Sequence, residues 1–202
     1  MTTPPPPPPT YPTPTVPPLR VGSPEARAIY EVMCGRELVT IPDIDGRPAI
    51  SAAVRLARTL LDQRPQAAVM FLADTLDLRG RYTSRLRRQF DPQHISPFTT
   101  VYQGQRPPWL AHGNVRRGMP PVWVASPDQP KGILSCHVMV VLAEFVTSPM
   151  TVVDPDVRAA QIVVLGTPAP EVLRACDLAA GFHPRLDWGE APLDVLLAAA
   201  GG

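Results

Sequence analysis

Apolar side chains recur at two different spacings after residue 23, and the change of spacing marks out the elements. Over residues 49–62, Ile50, Val54, Ala57, Leu60 and Leu61 share one helical face, while Arg55, Arg58 and Asp62 point elsewhere. Residues 67–73 form an unbroken apolar run, the pattern of a strand buried on both faces. Helical spacing returns over residues 76–90, where Leu78, Tyr82, Leu86 and Phe90 make the apolar stripe. With a short strand expected over residues 37–41, the order is strand, helix, buried strand, helix. That is the grammar of crossover units in a parallel sheet.

Capping chemistry sharpens the ends of these elements. Ser23, Pro24 and Glu25 place a cap, a first-turn proline and an early acid in helix-starting order, and Gly35 is the expected stop. Asp43, Asp45 and Gly46 signal a turn. Asp74 is expected to cap the helix that follows it, with Asp77 in its first turn. Further on, residues 122–125 suit a strand, and residues 133–145 suit either a strand or a buried helix. Residues 150–153 and 161–165 read as strands around a short helix near 156–160. Residues 171–180 form a helix closed by Gly181, and residues 192–200 form a last one. The expected fold is a single α/β domain with a mainly parallel or mixed sheet.

Proline divides the chain. Residues 1–23 hold the run 4–9 together with Pro12, Pro14, Pro17 and Pro18, so they cannot build a hydrogen-bonded core and are expected as a disordered polyproline tail ahead of a domain over 24–202. Such a tail suits either a tether or a ligand for a polyproline-binding groove. A second proline-rich stretch, 92–132, contains Trp109 and Trp123, residues that disordered segments avoid, and is expected to be an ordered excursion packed on the domain.

Composition narrows the chemistry. The 202 residues carry a formal net charge of +1, so any nucleic-acid role must rest on a local patch. Lys131 is the one lysine against 18 arginines, a bias that lowers the weight of any single arginine cluster. Three cysteines, Cys34, Cys136 and Cys176, lack C-x-x-C spacing and read as free, mostly buried thiols of a reducing compartment. The four histidines show no metal-ligand spacing, and no metal or cofactor is expected. No apolar run approaches the length of a membrane span, and residues 1–23 do not follow a secretory pattern, so a cytoplasmic location is expected.

Two surfaces suggest contact with partners. Arg79, Arg81, Arg85, Arg87 and Arg88 crowd one helix, and Arg81, Arg85 and Arg88 fall at i, i+4, i+7 on a single face. Arg106, Trp109, Arg116 and Arg117 of the excursion offer the guanidinium and aromatic groups that contact phosphates and bases. The last helix presents Leu193, Leu196 and Leu197, which could close the core or pair with a second copy of the chain. The reading that follows is a non-enzymatic intracellular binding or assembly protein acting through protein contacts. The alternatives are a nucleic-acid-binding protein using residues 79–88 and 106–117, and an α/β enzyme with its site near Asp74 and Thr167.

Overall fold

The structure, a computed structural model, describes residues 19–42, 44, 46–64, 67–90, 122–125, 134–146, 148–153, 157–182 and 185–200. Most of the expected tail and of the proline-rich excursion lies outside them. The elements run α1 (Pro24–Met33), β1 (Leu38–Ile41), α2 (Gly46–Gln63), β2 (Val69–Leu72), α3 (Leu76–Gln89), β3 (Val122–Ala125), β4 (Leu134–Leu142), β5 (Val157–Leu165), α4 (Pro170–Ala179) and α5 (Leu193–Ala200). The strands form one sheet in the order β1-β5-β4-β2-β3, and every pairing is parallel. The domain is therefore α/β, with the wholly parallel sheet that the continuous apolar strands require.

Helices cover both faces of the sheet. One core joins α1, α2, α3 and Val195 of α5 to Val39, Ile41, Phe71, Val140 and Val163. The other packs Val172, Ala175 and Cys176 of α4, with Val152, against Met70, Met139, Val141, Ile162 and Val164. Successive residues of β2, β4 and β5 thus feed opposite cores, which is why these strands are apolar throughout rather than alternating.

Local chemistry sets the element ends. Ser23 caps α1 by accepting a hydrogen bond from the Ala26 N–H at 3.2 Å. Gly35, at φ +79°, then turns the chain out of the helix toward β1. The ambiguous stretch 133–145 resolves as β4 followed by a 3₁₀ turn, Ala143–Phe145. Two local assignments are corrected. Residues 150–153, expected as a strand, instead enter a 3₁₀ turn, Pro149–Thr151, begun by Pro149 and capped by Ser148. Residues 157–160, expected as helical, belong to β5, because Leu134, Ser135 and Cys136 pair with Val157, Arg158 and Ala159. Cross-strand pairing overrides the helix propensity of the two alanines.

One buried polar side chain organises the β1 side of the sheet. Gln161 in β5 donates from Nε2 to the Val32 carbonyl at 2.8 Å and to the Arg36 carbonyl at 2.9 Å. Its Oε1 accepts from Trp188 Nε1 at 2.8 Å. All of this takes place in the core, where Gln161 is 1% and Trp188 3% exposed. The C-terminal segment crosses the sheet margin to reach this point: the Gly181 and Phe182 N–H groups donate to the carbonyls of Ala160 and Ala159. Arg64 Nε holds the Asp187 carbonyl at 3.1 Å, and Arg185 pairs with Glu37. At the start of the described chain, Leu19 packs against the first core and the Gly22 N–H donates to the Ala198 carbonyl at 2.7 Å.

The cysteines divide. Cys136 and Cys176 are buried and free; Cys34 is free but exposed, where a buried thiol was expected. It stands at the C-cap of α1, beyond the helix's packed face.

Gln161→Leu keeps the volume but strands the Trp188 N–H and the Arg36 carbonyl, while the Val32 carbonyl keeps the Gly35 N–H. Each unpaired buried group costs about 1–3 kcal/mol, so with two such groups the variant is expected to lose about 2–6 kcal/mol in urea denaturation. Trp188→Phe, which orphans only Oε1, should lose about 1–2 kcal/mol. A loss under about 0.5 kcal/mol for Gln161→Leu, the range of ordinary surface changes, contradicts the organising role.

Burial pushes the Cys176 thiol up to about 12 and the Cys136 thiol higher still, so neither supplies thiolate near neutral pH. A thiol reagent should label Cys34 alone in the native protein and all three cysteines in denaturant. Rapid native labelling of Cys136 or Cys176 contradicts this.

Candidate anion-binding groove

The site begins with the start of α3. Thr75, not Asp74, is its N-cap: the Thr75 side chain accepts from the Leu78 N–H at 3.2 Å. That corrects the expectation for Asp74. Its carboxylate is instead turned across the C-terminal ends of the strands, where Oδ1 accepts from Thr151 Oγ1 at 3.0 Å. Asp77 lies in the first turn and complements the helix dipole there, as Arg87 and Arg88 do in the last turn.

The apolar stripe of α3 faces the sheet. Leu78, Tyr82 and Leu86 are fully buried, and the Tyr82 and Phe71 rings lie 4.8 Å apart, centre to centre. The Tyr82 hydroxyl is buried and has no hydrogen-bond partner among the described residues. Burial first, and the charge of Glu144 second, push its ionisation well above the ordinary tyrosine value, so it stays neutral.

The opposite side of α3 carries the arginines. Arg81, Arg85 and Arg88 are all exposed, and all three line one depression of about 710 Å³ beside α2. Ile50 of α2 forms its apolar wall; Asp77, Gly80 and Ser84 of α3 complete its floor. Three guanidinium groups thus face one carboxylate. Arg81 pairs with Asp77 at 2.7 Å, one helical turn away, and its guanidinium carbon sits 6.0 Å from the centre of the Phe145 ring. Arg85 Nη2 donates to Ser51 Oγ of α2 at 2.7 Å. Among the described residues, Arg88 has no carboxylate within ion-pair distance.

The groove is held open by the way α2 and α3 dock. Arg58 is not the solvent-facing residue its helical position suggests. It donates from Nη1 to the Gln89 carbonyl at 3.0 Å, pairs with Asp62, and lies 5.6 Å from the centre of the Phe90 ring. It therefore clamps the C-terminal end of α3 to α2, while the Arg85–Ser51 contact links the two helices again beside the groove.

Of the other sequence-derived candidates, Trp109, Arg116 and Arg117 lie outside the described residues. Thr167 follows β5, where its hydroxyl donates to the Pro42 carbonyl at 3.2 Å. Asp74 follows β2, two strands away, and the order of the sheet places β4 between them. Among the described residues no group of three or more His, Cys, Asp or Glu side chains could hold a metal ion. His137 Nδ1 is occupied as acceptor of the Ala68 N–H at 2.9 Å. No described helix is long and apolar enough to cross a membrane.

Gly80, Ser84 and Ser51 were not singled out by sequence reasoning. Gly80 carried a usable signal, because a glycine in the middle of an otherwise ordinary helix calls for a reason.

No family model matches the chain, and no curated protein matches it. Among solved structures, the crystal structure of UvsW from T4 is similar over 84% of this chain and 36% of that one, at 14% sequence identity and a TM-score of 0.45. The similarity thus spans about a third of that chain.

Proposed function

We propose that this chain is a non-enzymatic nucleic-acid-binding protein that holds phosphates in the groove beside α3. The observation that carries the reading is the convergence of Arg81, Arg85 and Arg88 on one depression, exposed and opposed by a single carboxylate. Guanidinium groups bind phosphate oxygens in fork geometry and remain charged at all working pH values. The three span about 10 Å along the helix axis, long enough for them to reach more than one phosphate of a strand. A formal net charge of +1 leaves the local patch, rather than the whole molecule, to attract a polyanion.

Changing Arg81, Arg85 and Arg88 together to glutamine should leave the fold in place. Exposed pairs contribute about 1 kcal/mol or less each, and glutamine keeps a helix propensity close to that of arginine. The same variant should lose most binding to labelled oligonucleotides in low-salt buffer, and its slope of log affinity against log salt should flatten by about 2–3. Wild-type protein showing no salt-sensitive binding to any oligonucleotide contradicts the reading.

A second reading, assembly through protein contacts, is favoured by α5. The helix buries Val195 and Ala198 and turns Leu193, Leu196 and Leu197 outward, beside an equally exposed Val21. An apolar stripe left uncovered at the surface is the mark of an interface. If two copies pair there, light scattering should give a dimer mass that falls to the monomer mass in Leu193→Glu/Leu197→Glu. A monomeric wild type at high concentration rules out this self-association.

A further inference from the structure

We propose that the groove takes a single nucleic-acid strand rather than a duplex, and that it selects a base bearing an exocyclic amino group, seated on Gly80 and read by Asp77. This rests on the nucleic-acid reading above and adds the form of the ligand and its specificity-determining residue.

Gly80 is the starting point. It lies in the interior of α3, where glycine is less favourable than alanine. Its backbone is ordinary helix, with no positive φ that would require glycine. A methyl group placed there meets no atom within 4 Å, so close packing does not require glycine either. The missing side chain instead leaves bare peptide on the groove floor. Asp77 stands one turn before Gly80 and Ser84 one turn after it, so the three form a single stripe. Bare backbone flanked by polar side chains is where a flat ring can come into van der Waals contact with a helix.

Asp77 then defines which ring. A groove for phosphate alone gains nothing from a carboxylate, which repels the anion. A groove that also reads a base does gain, because a carboxylate accepts hydrogen bonds from amino groups such as cytosine N4. Arg81 holds one carboxylate oxygen of Asp77 at 2.7 Å and keeps the group oriented over the floor. The same guanidinium lies near the Phe145 ring and offers its planar face to a stacked base. Arg85 and Arg88 follow Gly80 by about 8–12 Å along the axis, within reach of neighbouring phosphates. Thymine has no exocyclic amino group and should be the poorer base.

The shape decides between one strand and two. Reading a duplex with a helix requires the helix to project into the major groove. Here the arginines line a depression shared with α2. A depression accepts an unstacked base, and only a single strand offers its base faces freely.

The test is fluorescence anisotropy on the full chain with labelled oligo-dC, oligo-dT and a mixed-sequence duplex of equal length. Wild type should bind oligo-dC about tenfold more tightly than oligo-dT, and either single strand more tightly than the duplex. Asp77→Ala should abolish the preference by weakening oligo-dC and strengthening oligo-dT. Gly80→Ala should raise the melting temperature by about 2–4 °C while weakening oligo-dC binding about tenfold. A rise in stability accompanied by a loss of binding is not what a structural glycine would give. Salt-sensitive binding with equal affinity for oligo-dC and oligo-dT, a duplex bound as tightly as the single strands, or unchanged oligo-dC binding in Gly80→Ala overturns this inference and leaves the arginine groove standing. Absence of salt-sensitive binding to all three probes overturns both.

Discussion

The amide of Gln161 is the point on which one side of the molecule depends. Four-residue β1 covers only the later part of nine-residue β5, from Ile162 onward. Earlier in β5, the chain after α4 takes over through Gly181 and Phe182. Gln161 stands at that changeover and binds three groups: the Val32 carbonyl, which also takes the Gly35 N–H, and the Arg36 carbonyl and Trp188 indole, for which it is the hydrogen-bond partner among the described residues. A hydrocarbon of the same size would fill the space and leave the Arg36 carbonyl and the Trp188 N–H unpaired in a dry core, which is the costlier state. The placement of α1, and of the segment leading to α5, follows from that amide.

The groove depends on a different set of contacts, made by arginines acting as clamps rather than as free charges. Arg58 ties α2 to the end of α3, and Arg85 ties α3 to Ser51. Both use fork-shaped donors to bridge elements that apolar packing alone would let slide. The helix therefore contains two kinds of arginine. Arg85 is both anchor and wall, Arg81 is shared between Asp77 and Phe145, and Arg88 makes no ion pair among the described residues. Identical side chains four and three residues apart have different work because their neighbours across the groove differ.

Much of this was legible in the residues. The helices α1, α2 and α3 and the buried strand β2 are written in apolar spacing and in the caps Ser23 and Gly35, because those signals are local. Two of the corrected expectations show where local signals were weak. Residues 157–160 have no strand pattern of their own, and only pairing with β4 makes them one. Asp74 lost the capping role to Thr75, its immediate neighbour, because both side-chain types cap helices and their intrinsic ranking, which favours Asp, does not decide between adjacent positions. For the groove, periodicity placed three arginines on one face of a helix. It could not show that α2 lies alongside and turns the face into a depression, and so it passed over Gly80 and Ser51.

The order of the strands has a consequence for how the chain reaches this state. β1 and β2 come first in sequence, yet β5 and β4 stand between them. Among the described residues, Leu38–Ile41 pairs only with Ile162–Leu165, more than a hundred residues further along. A chain emerging from the ribosome therefore carries this strand without its described partner until more than a hundred further residues have been made. Distant pairings of this kind slow folding, because loop closure must precede any reward from contact. The interval in which the edge of Val39 and Ile41 lacks its described partner is set by synthesis of β5, the strand whose arrival ends that exposure to wrong partners.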